Sequence, residues 1–261
     1  MPSEKLKEIV LRTVDLFPNS HILWMFHGGE PLTKSAKYFE EFANFIRELN
    51  ETRSLDHKIA LQTNATLLTS EYLDVFEKNA DLLSERIISI SVDGPEAIND
   101  QTRRLPNGKG AYVKIAEALE RVKKSSLSFS TISVIGSHNV KKANEIFDYM
   151  KNIGSNLIKF IPCYNFDERG EAIHFGIRPF EFAEFMCEIF DLWMKDAPSR
   201  TKDSRLIIEP IASIICNLSS TTVLWCEYRE KNARISPVYI LTAKLGYAIL
   251  STTKTPKTRL I

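Results

Sequence analysis

Apolar positions in the first two thirds of the chain fall alternately into helical stripes and short continuous runs. Leu6, Ile9, Val10, Val14 and Phe17 recur at three and four residues, the spacing of one helix face, and Pro18-Asn19-Ser20 ends that stripe. His21 to Phe26 reads as a short strand. It runs into Gly28-Gly29-Glu30-Pro31, after which Tyr38, Phe39, Phe42, Phe45, Ile46 and Leu49 form a second helical stripe. Lys58 to Asn64 is a second strand with a polar end, and Ser70 is the expected N-cap of a helix carrying Leu73, Phe76 and Leu83. Ile87 to Val92 is a third strand, closed by the turn Asp93-Gly94-Pro95. Tyr112, Ile115, Ala116, Leu119 and Val122 predict the next helix, and Phe129 to Ile135 a fourth strand. Ile146, Phe147, Met150 and Ile153 predict another helix, and Asn156 to Ile161 a fifth strand broken by Pro162.

Strand and helix thus alternate five times at roughly 30 to 40 residues, the pattern of a parallel sheet wound by helices. The fold class is α/β, either a β/α barrel or an open doubly wound sheet. In such folds chemistry collects at the carboxyl ends of the strands. Four of those ends carry glycine or polar residues here: Gly28-Gly29-Glu30, Thr63-Asn64, Ser91-Val92-Asp93-Gly94 and Pro162-Cys163-Tyr164. Beyond residue 170 the texture changes. Phe180, Ala183, Phe185, Met186, Ile189, Phe190 and Trp193 make a strongly apolar helix, of a spacing that marks core rather than a cofactor box. Ile207 to Leu218 reads as one further helix, and no fold is assigned from Cys226 onward.

Composition narrows the partners more than the chemistry. The 261 residues carry 34 Lys+Arg against 33 Asp+Glu, a net charge of +1, so neither nucleic acid nor an acidic membrane surface is implied. Met1-Pro2-Ser3-Glu4-Lys5 is not a basic-then-apolar leader, and no apolar run approaches the ~18 residues of a membrane span. A cytoplasmic location is the expectation. The four cysteines, Cys163, Cys187, Cys216 and Cys226, form no C-x-x-C and read as thiols in a reducing compartment.

The segments His27-Gly28-Gly29-Glu30-Pro31-Leu32, Gln62-Thr63-Asn64-Ala65-Thr66-Leu67-Leu68, Ser91-Val92-Asp93-Gly94-Pro95 with Asn99 to Arg104, and Phe160-Ile161-Pro162-Cys163 occur in order at four strand ends. Together they resemble the radical S-adenosylmethionine (radical SAM) superfamily, in its branch of anaerobic sulfatase-maturating enzymes and SPASM-type peptide maturases. The resemblance covers roughly residues 1 to 170 and implies a partial (β/α) barrel, with about five βα units here and the first strand missing. It implies a core over residues 1–170, a helical continuation over 171–225 and a degenerate tail over 226–261 that is a possible SPASM or twitch remnant.

The resemblance also assigns roles. Gly28 and Gly29, with Glu30 beside them, would meet the methionine end of S-adenosylmethionine, since residues without Cβ allow close backbone approach. Taken alone, the glycine pair is a tight strand-to-helix turn. Ser91 would bond the cofactor ribose, and Arg103 would pair with its carboxylate, with Arg104 as the rival. Tyr164 would pack against adenine, while His27 and Asn64 would face the substrate. His27 is expected to act as a hydrogen-bond partner rather than a base, because no acid is visible to orient it.

The expected function is that of a truncated peptide- or protein-modifying maturase. In intact form it would cleave S-adenosylmethionine at a [4Fe–4S] cluster, make a 5′-deoxyadenosyl radical and abstract a substrate hydrogen atom. An electron donor such as flavodoxin or ferredoxin would supply the electron. The C-x-x-x-C-x-x-C that holds the cluster in this family does not occur in the 261 residues. No metal ligand is therefore assigned, and the chain is expected to be inert alone. Cys226 has no later cysteine to pair with. The alternative is a non-catalytic scaffold that binds a peptide or a partner maturase; a phosphate-binding β/α enzyme is disfavoured because Glu30 would repel the anion. With the first strand missing, His21 to Phe26 is expected to be an apolar sheet edge.

Overall fold

A computed structural model describes residues 1–197, 206–219 and 247–253. Six parallel strands are β1 (His21–His27), β2 (Lys58–Thr63), β3 (Leu83–Ser91), β4 (Ser128–Ile135), β5 (Leu157–Pro162) and β6 (Ile207–Glu209). A seventh, β7 (Tyr247–Thr253), pairs antiparallel with β1. The spatial order is β6-β5-β4-β3-β2-β1-β7, and β6 is not hydrogen-bonded to β7, so the sheet is open. The helices are α1 (Ser3–Leu16), α2 (Ala36–Arg53), α3 (Ser70–Lys78), α4 (Glu96–Thr102), α5 (Tyr112–Lys123), α6 (Ala143–Asn152), α7 (Pro179–Asp196) and α8 (Ile211–Leu218).

Strand order settles the choice between the two windings. A doubly wound sheet reverses its order at a switch point and carries helices on both faces, whereas here β1 to β6 follow one another without reversal. Phe26 of β1 packs edge-on against Phe39 and Phe42 of α2, and Phe160 of β5 packs against Phe185 of α7. The registers Phe26↔Leu61, Leu61↔Ile88, Ile88↔Phe129, Thr131↔Ile158 and Ser133↔Phe160 place those two phenylalanines on one face of the sheet. Helices at both ends of the parallel run therefore cover the same face, as in a β/α barrel that has not closed.

The helix-covered face holds the core: Ile22 and Trp24, Ile59 and Leu61, Ile88 and Ile90, Ile158 and Phe160, met by Phe39, Phe42 and Ile46 of α2, Ile115 and Leu119 of α5, and Ile146 and Met150 of α6. Each such side chain contributes about 1.5–3 kcal/mol on burial. Residues of opposite parity, among them Met25, His27, Gln62, Ser91, Val134 and Lys159, are only half-buried on the other face. That second face is the concave one.

Four expectations are corrected. Thr69, not Ser70, is the N-cap of α3, and its side chain makes no capping bond. Leu83 starts β3 instead of extending α3: the helix ends at Lys78, and Leu82 N donates to Asn79 O in the intervening turn. Its spacing of seven from Phe76 imitates a helix face. Ile207 to Leu218 is two elements, β6 and α8; three residues are too few to show an alternation, and the isoleucines run on into the helix. Lastly, β1 is not an edge. The register His21↔Thr253 through His27↔Tyr247 covers its full length with β7, supplying partners to backbone groups that an edge would leave open. Cys226, and most of the tail expected over 226–261, lie outside the described residues.

Candidate active site at the strand ends

Each polar cluster anticipated from the sequence sits at the carboxyl end of a parallel strand. After β1, Gly28 and Gly29 adopt φ of +84° and +57°, a region that disfavours side chains. A Cβ on Gly29 would meet nothing within 4 Å. Glycine is thus required there by the backbone turn, and the space above it is open.

The Glu30 carboxylate is committed to protein donors. Its Oε1 accepts from Leu32 N at 3.0 Å and from Thr63 Oγ1 at 2.6 Å, and its Oε2 accepts from Asn64 N at 2.8 Å. Glu30 therefore ties the glycine turn to the end of β2. Thr63, only 2% exposed, passes the connection on by accepting from Ala65 N at 2.9 Å. Asn64 Oδ1 accepts from Thr66 N and Thr66 Oγ1, which fixes the next turn, and its amide nitrogen has no partner among the described residues.

Ser91 closes β3 on the concave face, in register with Ile132 and, through it, with Lys159. Its hydroxyl has no hydrogen-bond partner among the described residues. Two residues on, Asp93 is 2% exposed. Arg103 Nη2 donates to Asp93 Oδ1 at 2.9 Å, and Arg103 Nε lies 2.7 Å from Oδ2 in ion contact. Val134 N donates to the same Oδ1 at 2.8 Å, and Thr102 Oγ1 to Oδ2 at 3.3 Å. Arg103 and Arg104 thus part company: Arg103 is held at the strand ends, while Arg104 donates to Gly108 O in an exposed loop.

His27 ends β1 on the concave face. Burial holds its imidazole below the ordinary histidine range, and the Lys159 ammonium pushes it further down. His27 is therefore neutral at pH 7, a donor and acceptor rather than a cation. On the far side, Cys163 N donates to Ile135 O at 2.7 Å and Ile177 N to Cys163 O at 3.0 Å, so the loop after β5 folds back over the end of β4. Ser137 N donates to Phe175 O in the same place, and a Cβ on Gly136 would lie 2.6 Å from that oxygen. Tyr164 is 51% exposed and stacks on Phe166 with ring centroids 6.3 Å apart.

Glu30 ties the Gly28-Gly29 turn to Asn64 as one group, and Asp93 with Arg103 forms a second, with Ser91 two residues before Asp93 in the chain. Tyr164 stands at the mouth of β5. Sequence reading gave no role to Asp93, Thr63 or His138. Asp93 was visible only as part of a turn signal. His138 follows β4, its ring packs edge-on against Phe175 at 4.9 Å, and burial lowers its pKa against the opposing pull of Asp93.

Among the described residues no group of three or more His, Cys, Asp or Glu could hold a metal ion. The described cysteines, Cys163, Cys187 and Cys216, stand on separate elements: the end of β5, α7 and α8. The described residues therefore do not fit a [4Fe–4S] cluster. None of the helices described is long and apolar enough to cross a membrane.

Comparison with known proteins agrees with this architecture. A serine-type anaerobic sulfatase-maturating enzyme of Bacteroides thetaiotaomicron is 24% identical over 208 residues, 72% of this chain and 49% of the relative. A cysteine-type anaerobic sulfatase-maturating enzyme of Clostridium perfringens is 28% identical over 198 residues, 75% of this chain and 51% of the relative. The chain spans about half the length of the curated relatives it matches. A solved structure of native anSMEcpe with bound AdoMet and Kp18Cys peptide superposes with a TM-score of 0.76 at 24% identity, over 87% of this chain and 60% of that one. Streptococcus suis SuiB bound to precursor peptide SuiA shares the fold more loosely, at a TM-score of 0.55 and 13% identity, over 80% of this chain and 42% of SuiB. The family model of the radical SAM superfamily matches residues 1–150, more than half of the 261, and with the unreversed parallel sheet already described, the chain belongs to the radical SAM superfamily.

Proposed function

We propose that this chain is the S-adenosylmethionine-binding part of a radical SAM maturase that modifies a peptide or protein side chain. Its core would span residues 1–170, continued by 171–225, with 226–261 as the tail. One observation carries the reading: the ends of neighbouring parallel strands carry an open glycine turn, a serine hydroxyl unpartnered among the described residues and a fixed arginine. That set suits a ligand with an aminoacyl end, a ribose and a carboxylate.

Gly28 and Gly29 offer backbone to the ammonium, and Glu30 sets their turn. Ser91 Oγ is available to a ribose hydroxyl. Arg103 has Nη1 uncommitted among the described residues for the carboxylate, and Tyr164 with Phe166 provides an aromatic face for adenine. His27, neutral and on the concave face, and the amide nitrogen of Asn64, uncommitted among the described residues, address the substrate. When bound and reduced, the cofactor supplies hydrogen-atom abstraction; the described residues bind and orient. Exposed Tyr164, Phe166 and Phe175 at the mouth favour a peptide as the substrate. The sulfatase-maturase relatives favour the same class. A cluster and a one-electron donor such as flavodoxin or ferredoxin belong to the whole maturase.

Calorimetric titration of the purified chain with S-adenosylmethionine tests this. Saturable binding is expected, weakened about fivefold by Ser91→Ala, the worth of one hydrogen bond of about 1 kcal/mol. Absence of saturable binding, or binding indifferent to both Ser91→Ala and Arg103→Gln, refutes it.

A further inference from the structure

We propose that Asp93 is the positioning residue of the cofactor-carboxylate site, fixing the Arg103 guanidinium in the orientation that receives the carboxylate. The inference rests on the reading of Arg103 given above, and it assigns Asp93 no contact with the ligand.

A carboxylate that is 2% exposed must be compensated by nearby donors. Asp93 is compensated by three residues: Val134 N on β4, Thr102 Oγ1 at the end of α4, and the Nε and Nη2 edge of Arg103 just beyond it. Its own backbone N–H donates to Asn99 Oδ1 at 3.2 Å, so the carboxylate cannot swing away from this group. Arg103 is held by its main chain as well: its N–H donates to Asn99 O at 2.9 Å, and its carbonyl accepts from Ala111 N at 3.1 Å. Consequently the plane of the guanidinium is set before a ligand arrives. The edge carrying Nε faces Asp93, and Nη1 is directed elsewhere. An arginine fork recognises a carboxylate through the direction of its N–H groups, so a fixed plane is worth more than charge alone.

Charge and geometry make opposite predictions for this residue. The Asp93 charge opposes an incoming carboxylate, so a purely Coulombic site would bind it better once Asp93 is neutral. A site that depends on a fixed fork would bind it worse. Asp93→Asn keeps Oδ1 as the acceptor for Val134 N and Arg103 Nη2 but removes the charge and sets an amide NH2 against Arg103 Nε in place of Oδ2, so the fork is held at one point instead of two and can turn.

The experiment compares the affinities of the full chain for S-adenosylmethionine and for decarboxylated S-adenosylmethionine, which lacks only the carboxylate. The parent chain is expected to prefer the carboxylate form. Asp93→Asn is expected to cut that preference tenfold or more while leaving the affinity for the decarboxylated analogue within twofold. In an Arg103→Gln background it should cut nothing further. Arg103→Lys, which keeps the charge without the fork, provides a second arm that spares Asp93 and should also lose the preference tenfold. An unchanged or larger preference in Asp93→Asn, an equal loss for both ligands, or full preference in Arg103→Lys overturns the proposal. If Arg103→Gln itself leaves the preference intact, or the parent shows none, the underlying reading of Arg103 fails first and the inference falls with it.

Discussion

Replacing Glu30 tests whether the glycine turn is built by the site itself. Glu30→Ala removes the acceptor for Leu32 N, Thr63 Oγ1 and Asn64 N at once. Hydrogen bonds to a charged acceptor contribute about 1.5–3 kcal/mol each when buried, and an orphaned buried donor costs about 1–3 kcal/mol. Thr63 is almost fully buried, whereas Glu30 is half-exposed, so water will take up part of the loss. A net destabilisation of about 2–3 kcal/mol follows for Glu30→Ala. Glu30→Gln keeps one oxygen for Thr63 and Leu32 but sets an NH2 group against Asn64 N, so about 1–2 kcal/mol is expected. Equilibrium urea unfolding followed by circular dichroism measures both, with the slope of the transition unchanged. If both variants stay within about 0.5 kcal/mol of the parent, the carboxylate is not the clamp inferred from its bonds.

Two further perturbations probe the scaffold around the site. A Cβ at Gly110 would lie 1.7 Å from Asp100 Oδ2 and 2.8 Å from Asp100 Cβ, while Asp100 Oδ1 accepts from Tyr112 N at 2.9 Å at the start of α5. Gly110→Ala should therefore displace that cap and cost about 1–3 kcal/mol, seen as a lower melting temperature; an unchanged melt contradicts the packing. His57 is fully buried and its Nδ1 accepts from Trp24 Nε1 at 3.3 Å; burial lowers its pKa. The unfolded chain then binds a proton that the folded chain refuses, so stability falls as pH drops below the ordinary histidine range. His57→Gln should flatten part of that fall between pH 7 and 5, to which His27 and His138 also contribute, their pKa values being lowered in the same direction. An identical pH profile in the variant refutes the assignment.

The parallel strands β1 to β5 were legible because each is a short apolar run followed by a turn or by glycine and polar residues. What escaped was short or non-local. β6 has three residues and merges with the isoleucines of α8, so no period could separate them. β7 joins β1 from more than 200 positions away along the chain, and nothing local in either strand announces the pairing. The clustering of site residues at strand ends was visible. Which partners hold them was not: Glu30 reaches across 33 and 34 residues to Thr63 and Asn64, and Asp93 across 41 residues to Val134. Sequence spacing could not separate Arg103 from its neighbour Arg104 either; the turn back from α4 decides that only one of them meets Asp93.

The most direct test is a crystal structure of the chain with S-adenosylmethionine. The account predicts the methionine end of the ligand against Gly28 and Gly29, a ribose hydroxyl within hydrogen-bond distance of Ser91 Oγ, and the carboxylate on Arg103 with Asp93 still behind it. Ligand density elsewhere, with these strand ends empty, would contradict it.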